Sequence, residues 1–234
     1  MSAPDRTFTV DAIAFDLDGT LIDTVHDLAA AVNRLLDTRK LAPLPLARIR
    51  DLIGKGIANL VQRAVEESRG RRPDAAELAD LLAEYDDFYT ASLGVESVLF
   101  EGVAQGLAQL QDAGFRMAVV TNKSRRFIAP HLQQAGIARH FDTAIGGDDA
   151  SAKKPDAAPL FLCAQRLGVT PGRLLMVGDS VNDARSARAA GCPVVIVPYG
   201  YNEGQPVTSL DCDGIVPSIV ALAQRVRRAS TLSV

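Results

Sequence analysis

Short apolar runs, each ending in polar residues and each followed by a helical pattern, recur along the chain from Ala12 to Val216. They are Ala12-Ile13-Ala14-Phe15, Arg116 to Val120, Thr143 to Ile145, Leu174 to Val177, Val194 to Val197 and Ile215-Val216. Apolar residues in succession, rather than in alternation, mark strands buried on both faces. Helical patterns follow at Val103–Ala113, Arg125–Ala135, Pro159–Leu167, Asp183–Ala190 and Ser218–Arg228, with stops at Gly114, Gly136 and Gly191. Strand and helix in alternation predict an α/β chain with a doubly wound, Rossmann-like parallel sheet.

One long insertion breaks the alternation directly after the first strand. Val25, Leu28, Ala29, Val32, Leu35 and Leu36 form an apolar stripe at helical spacing. Leu46–Leu52 and Ile57–Glu67 read as two further helices around Gly54-Lys55-Gly56. Asp74 with Glu77 resembles a capping box, opening a helix with Leu78, Leu81, Leu82, Tyr85, Phe88 and Tyr89 on one face. Residues 23–99 thus read as purely helical, without a strand: a cap on a core made of 1–22 and 100–234. The 234 residues, 47% of them hydrophobic, suffice for one large domain plus such an insert.

A net charge of −3 argues against nucleic acid as the main partner and leaves small anions open. No apolar run approaches the roughly 18 residues of a membrane span, and Met1 to Arg6 has no apolar signal-peptide core. Cys163, Cys192 and Cys212 show no metal-ligand spacing, which predicts a reduced, cytoplasmic setting. Oligomeric state, monomer or homodimer, is left open.

The polar residues that end the strands are chemically unusual. Asp16 and Asp18, two apart in extended chain, point to one side, and Gly19 turns the backbone beyond them. Thr121 and Asn122 follow another strand, Lys154 precedes Pro155, and Asp179 and Asp183 follow a further strand. In a parallel sheet the carboxyl ends of the strands face one side, so these groups converge there. Four acids and one lysine in one place require a hard cation with oxygen ligands, for which Mg²⁺ is the natural candidate.

Asp16-Leu17-Asp18-Gly19-Thr20, then Thr121, then Lys154-Pro155, then Gly178-Asp179-Ser180-Val181-Asn182-Asp183 resemble, in order and spacing, the four motifs of the haloacid dehalogenase-like hydrolases. The resemblance implies Asp16 as a nucleophile that forms an aspartyl-phosphate, and Asp18 as general acid and then general base, with a raised pKa. It implies Mg²⁺ held by Asp16, the Asp18 carbonyl and Asp179, with Asp183 behind them. Thr121 and Asn122 would hold phosphoryl oxygens, and Lys154 rather than Lys153 would supply positive charge. Ala157 and Glu101 stand where relatives often have prolines, both outside the chemistry.

Asp18 disfavours the dehalogenase and phosphonatase branches, leaving a phosphatase or a phosphosugar mutase. Asp23 to Leu28, Arg50 to Gly56 and Leu60 to Ala64 are similar to bacterial phosphoglycolate phosphatases, so the expected partner is a small phosphorylated metabolite. Lys55, between two glycines of the cap, is the candidate contact to a substrate carboxylate. His26 reads as surface, and His131 and His140, away from every motif, as structural. Cap opening would hinge near Ile22–Thr24 and Phe100–Gly102.

Overall fold

The computed structural model describes residues 6–229; the stretch Met1 to Asp5, read above for a signal peptide, lies outside them. The strands are β1 (Phe8–Val10), β2 (Ala12–Phe15), β3 (Ile22–Asp23), β4 (Val98–Leu99), β5 (Arg116–Val120), β6 (Thr143–Ile145), β7 (Leu174–Gly178), β8 (Val194–Ile196), β9 (Gly214–Ile215) and β10 (Val226–Arg228). The helices are α1 (Val25–Thr38), α2 (Leu46–Leu52), α3 (Ile57–Arg69), α4 (Ala75–Ser92), α5 (Val103–Asp112), α6 (Arg125–Gln134), α7 (Ala158–Leu167), α8 (Val181–Ala190) and α9 (Ile219–Ala223).

Six strands form a parallel sheet in the order β6-β5-β2-β7-β8-β9. β2 sits in the middle, all four of its residues buried, paired on one side with β5 and on the other with β7. The chain leaves β2 for β5 and β6, then crosses back to β7. The order therefore reverses around β2, and the crevice beyond its carboxyl end is where such sheets place ligands. Two apolar layers cover the sheet. One contains Ile13, Phe15, Leu107, Val119 and Val177, and the other Ala14, Val120, Leu160, Met176 and Ile196.

Helices α1 to α4 build their own apolar cluster around Leu35, Leu36, Ile49, Val61, Leu81 and Tyr85. Asp74 caps α4 by accepting from the Glu77 amide at 2.9 Å. The Glu77 side chain turns to Arg69 instead of completing the box.

Two expectations are corrected. The insertion is not free of strand: β3 and β4 pair antiparallel, Ile22 with Leu99 and Asp23 with Val98, and so bind its two connections to each other. The predicted helix to Arg228 also ends early. α9 stops at Ala223, and Val226 turns in to pair in parallel with Phe8, forming a two-stranded sheet that the sequence reading did not anticipate. Each partner strand has three residues, too short for a periodic signal.

Candidate active site

Gly19 allows the turn that follows β2. Its φ is +93°, and a Cβ there would lie 2.4 Å from Asp179 Oδ2 and 2.9 Å from the Tyr201 ring. Gly19→Ala therefore combines a left-handed backbone with overlap in a packed site. It should cost about 2–4 kcal/mol, measured as a drop in denaturant midpoint; an unchanged midpoint would contradict this packing.

Around that turn the expected groups meet. Lys154 Nζ lies 3.0 Å from Asp16 Oδ1 and 2.6 Å from Asp183 Oδ1, and donates to the Val120 carbonyl at 2.7 Å. Asp16 Oδ1 also accepts from the Leu17 amide at 2.8 Å, while Oδ2 accepts from no donor among the described residues. Asp179 accepts from the Thr20 hydroxyl at 2.6 Å through Oδ1 and from the Tyr201 amide at 2.6 Å through Oδ2. Asp183 has two tasks. Oδ1 holds Lys154, and Oδ2 accepts from the Ser180 amide and hydroxyl, so that it closes a capping box on α8. Lys153, the rival cation, makes none of these contacts.

Oxygens of Asp16, Asp179 and Asp183 lie within 4.8 Å of one another. Burial, with the Asp183 and Asp18 carboxylates nearby, pushes the Asp16 carboxyl up to about 6 against the opposing pull of the Lys154 charge. Burial, with Asp183 and Asp16 nearby, pushes Asp179 well above the usual carboxylate range. Three crowded carboxylates, with unused lone pairs on Asp16 and Asp179, form an all-oxygen donor set suited to a hard divalent cation. Asp183 stands behind that set: its Oδ1 takes the Lys154 ammonium, and its Oδ2 already takes three donors, the Asp179 and Ser180 amides and the Ser180 hydroxyl, where each Asp179 oxygen takes one.

A fold that holds these carboxyls protonated loses stability as pH rises from their free value towards the raised one. A divalent cation binds the ionised form. Magnesium chloride should therefore raise the melting temperature by several degrees at about pH 7.5 and hardly at about pH 4.5. Equal shifts at both pH values would argue against a cation at this cluster.

Lys123 escaped the sequence reading. Its ammonium lies 3.1 and 3.4 Å from the two Asp18 oxygens, donates to the Tyr89 hydroxyl of α4 and sits 4.7 Å from the Tyr89 ring centroid. Its side chain is 1% exposed. Thr121 and Lys123 stand two apart after a strand, the same spacing that singled out Asp16 and Asp18, so the signal was present. Lys123 reverses one expectation. Burial pushes the Asp18 carboxyl up, but the Lys123 charge, the nearby His131 and the hydrogen bonds from Lys123 and Thr24 together outweigh it, and the group lies below the ordinary aspartate value rather than above it.

Three other residues differ from expectation. The Asn122 amide donates to the carbonyls of Gly54 at 3.0 Å and Lys154 at 2.9 Å, so the side chain fastens the cap loop to the core instead of facing the cavity as a donor. Lys55 points away from the cluster. Gly54 and Gly56 have φ of +122° and +83°; the loop turns its Gly54 carbonyl inward and the Lys55 ammonium outward, 2.8 Å from Glu203. His131 is fully buried, and neither ring nitrogen has a partner among the described residues. Burial, then the Lys123 charge, pushes it down to about 4; it backs the site rather than lying apart from it. His140, bonded to Gln111, and the half-exposed His26 are remote, as read.

A cavity of about 40 Å³ lies between cap and core. Leu28, Ile53, Gly54, Gly56, Ile57 and Leu60 line it from the cap; Asp16, Asp18, Thr121, Asn122 and Lys123 line it from the core. No helix among the described residues is long and apolar enough to cross a membrane.

Comparison with known proteins agrees with this geometry. The family model described as haloacid dehalogenase-like hydrolase matches residues 13–197. A phosphoglycolate phosphatase of Nitrosospira multiformis is 43% identical over 221 residues, covering 94% of this chain and 97% of its own. One from Salmonella typhimurium is 39% identical, covering 92% and 91%. The crystal structure of a predicted phosphoglycolate phosphatase from Haemophilus somnus superposes with a TM-score of 0.87 at 32% identity, covering 92% of this chain and 97% of that one. CbbY from Rhodobacter sphaeroides in complex with phosphate gives 0.77 at 25% identity, over 92% and 96%. With its six-stranded parallel sheet and all four motifs at the carboxyl ends, this chain belongs to the haloacid dehalogenase-like hydrolase family.

Proposed function

We propose that the protein is a Mg²⁺-dependent phosphatase that hydrolyses 2-phosphoglycolate to glycolate and phosphate through an aspartyl-phosphate on Asp16. The observation that carries the chemistry is the state of Asp16, which lines the cavity: one oxygen is held by Lys154 and the Leu17 amide, and the other has no donor among the described residues. That oxygen attacks phosphorus in line. Thr121, whose Oγ1 accepts from the Lys123 amide at 3.3 Å, keeps its own proton for a phosphoryl oxygen. Lys154 balances the charge that develops beside Asp16. When bound, Mg²⁺ would be held by Asp16, Asp179 and the Asp18 carbonyl, and it supplies the positive charge that lets a phosphate dianion approach a carboxylate.

Asp18 handles protons. Ionised beside Lys123 in the free protein, it is ready as the base that activates the hydrolytic water. For the first half-reaction it takes up a proton once the phosphate dianion adds negative charge beside it, then passes that proton to the leaving alkoxide. The cap excludes water while this happens, and its exchange with an open form turns on the β3–β4 connections. Reduced cysteines and a cytoplasmic setting belong to the same proposal.

Substrate choice follows from the size of the cavity and from the relatives' names. The cavity is narrow, and the apolar cap side chains Leu28, Ile53, Ile57 and Leu60 close over it, which favours a phosphate carrying a short group. A hexose phosphate enters only if the cap is displaced. The test is a panel of phosphoglycolate, hexose and amino-sugar phosphates and nucleoside monophosphates with Mg²⁺, with phosphate release and sugar-phosphate isomers both measured. Phosphoglycolate should give the highest kcat/KM. Preference for a sugar phosphate would reject the substrate assignment, and isomer formation without phosphate release would identify a mutase.

A further inference from the structure

Among the described residues, one cation lines the cavity. Lys154 lies behind Asp16 with its three contacts filled by Asp16, Asp183 and a carbonyl. Lys55 is spent on Glu203 outside. Lys123 alone brings positive charge to the lining, opposite a roof of apolar side chains. A substrate carboxylate enclosed there has no water to meet it and needs a paired cation.

We propose that Lys123 determines substrate specificity by taking the carboxylate of a phosphate ester in which that carboxylate is one carbon from the ester oxygen. This assignment rests on the phosphatase reading above. Its geometry starts from Asp18, which exchanges its proton with the ester oxygen. Lys123 Nζ touches both Asp18 oxygens, at 3.1 and 3.4 Å. A group bonded to the carbon that bears the ester oxygen falls beside Asp18, within reach of the same ammonium. A carboxylate one methylene further out would meet the apolar cap residues instead. An ammonium has three donors. Asp18 takes two and Tyr89 the third, and the longer Asp18 contact is the one that can be redirected to the substrate. Tyr89 belongs to cap helix α4 and packs T-shaped with Phe127 of the core, ring centroids 4.9 Å apart, so the closed cap fixes the ammonium where the carboxylate arrives. The class recognised is the 2-phosphorylated 2-hydroxy acids.

The experiment compares kcat/KM for phosphoglycolate, ethyl phosphate and the phosphoglycolate homologue with one more methylene. Wild type should prefer phosphoglycolate to each of the others by about 10- to 100-fold, the worth of a charge-assisted hydrogen bond. In Lys123→Met both phosphoglycolate and ethyl phosphate turnover fall, because Asp18 loses its neighbour, but the ratio between them should collapse towards one. Lys123→Arg should retain most of the ratio. Equal losses on both substrates, leaving the ratio intact, would overturn the assignment and make Lys123 a support for Asp18 only. If Lys123→Met does not fold, the wild-type comparison decides: equal use of the longer homologue overturns the proposal. Wild type that ignores phosphoglycolate in favour of sugar phosphates rejects the parent reading, and the Lys123 assignment with it; that result is separate from an unchanged ratio in the variant.

Discussion

Asp16→Asn should leave a folded protein with phosphatase turnover reduced by about 10³-fold or more. The amide is nearly the same size, so β2 and its buried neighbours keep their packing. What is lost is the nucleophilic oxygen. The amide can keep its oxygen on Lys154 and the Leu17 amide, so the contacts around the position survive. Steady-state phosphate release checks the activity, and a denaturant melt checks that the fold survives. Removal of the negative charge also relieves the crowding of Asp16, Asp179 and Asp183. The variant should therefore be no less stable than wild type in the absence of metal, and should gain less from added Mg²⁺. Turnover near the wild-type rate would rule out covalent catalysis at this position.

Lys154→Met should damage both stability and activity. Among the described residues the lysine is the one cation in contact with Asp16 and Asp183, and burial keeps water from taking its place. Its own pKa is consistent with that role: burial pushes it down, the two carboxylates more than reverse this, and it stands at about 12. Removing one partner from a buried charge network costs about 3–5 kcal/mol, roughly 10 °C in melting temperature for a chain of this size. Mg²⁺ should recover part of the stability by neutralising the same carboxylates. It should not restore turnover, because no group then holds Asp16 in place or balances the transferring phosphoryl on that side. Thermal melts with and without Mg²⁺, paired with phosphate release, separate the two effects. Full activity in Lys154→Met would move the motif lysine to Lys153.

The core was legible because its signals are continuous. Ala12–Phe15, Arg116–Val120 and Thr143–Ile145 form strands over the predicted residues, since apolar runs between turn residues leave few alternatives. The cluster of Asp16, Lys154, Asp179 and Asp183 was legible for a different reason: each lies at the carboxyl end of a strand or just past it, and a parallel sheet brings those ends together. What was missed depends on partners far apart in sequence. β1 and β10 are three residues each and exist only because they pair across the whole chain. The β3–β4 pairing is two residues long and closes the insertion on itself. Lys123 looked like the polar end of a strand, and its importance comes from Asp18, 105 positions away, and from Tyr89 on the cap. Lys55 looked inward-facing on a glycine-flanked loop, but the direction of that loop is set by positive φ at both glycines and by Asn122 and Asn182 drawing the Gly54 carbonyl towards the core. Asp18 shows the same limit in its electrostatics. Paired carboxylates suggest a raised value, and the unseen lysine reverses the sign.

The covalent step is tested most directly by quenching the wild-type protein in acid during steady-state turnover of 2-phosphoglycolate with Mg²⁺, then mapping its peptides by mass. A single phosphoryl group on Asp16 is the predicted result, present with substrate and absent when a chelator removes the metal. Turnover that continues with no phosphorylated peptide, or with the phosphoryl group on another residue, would contradict the account.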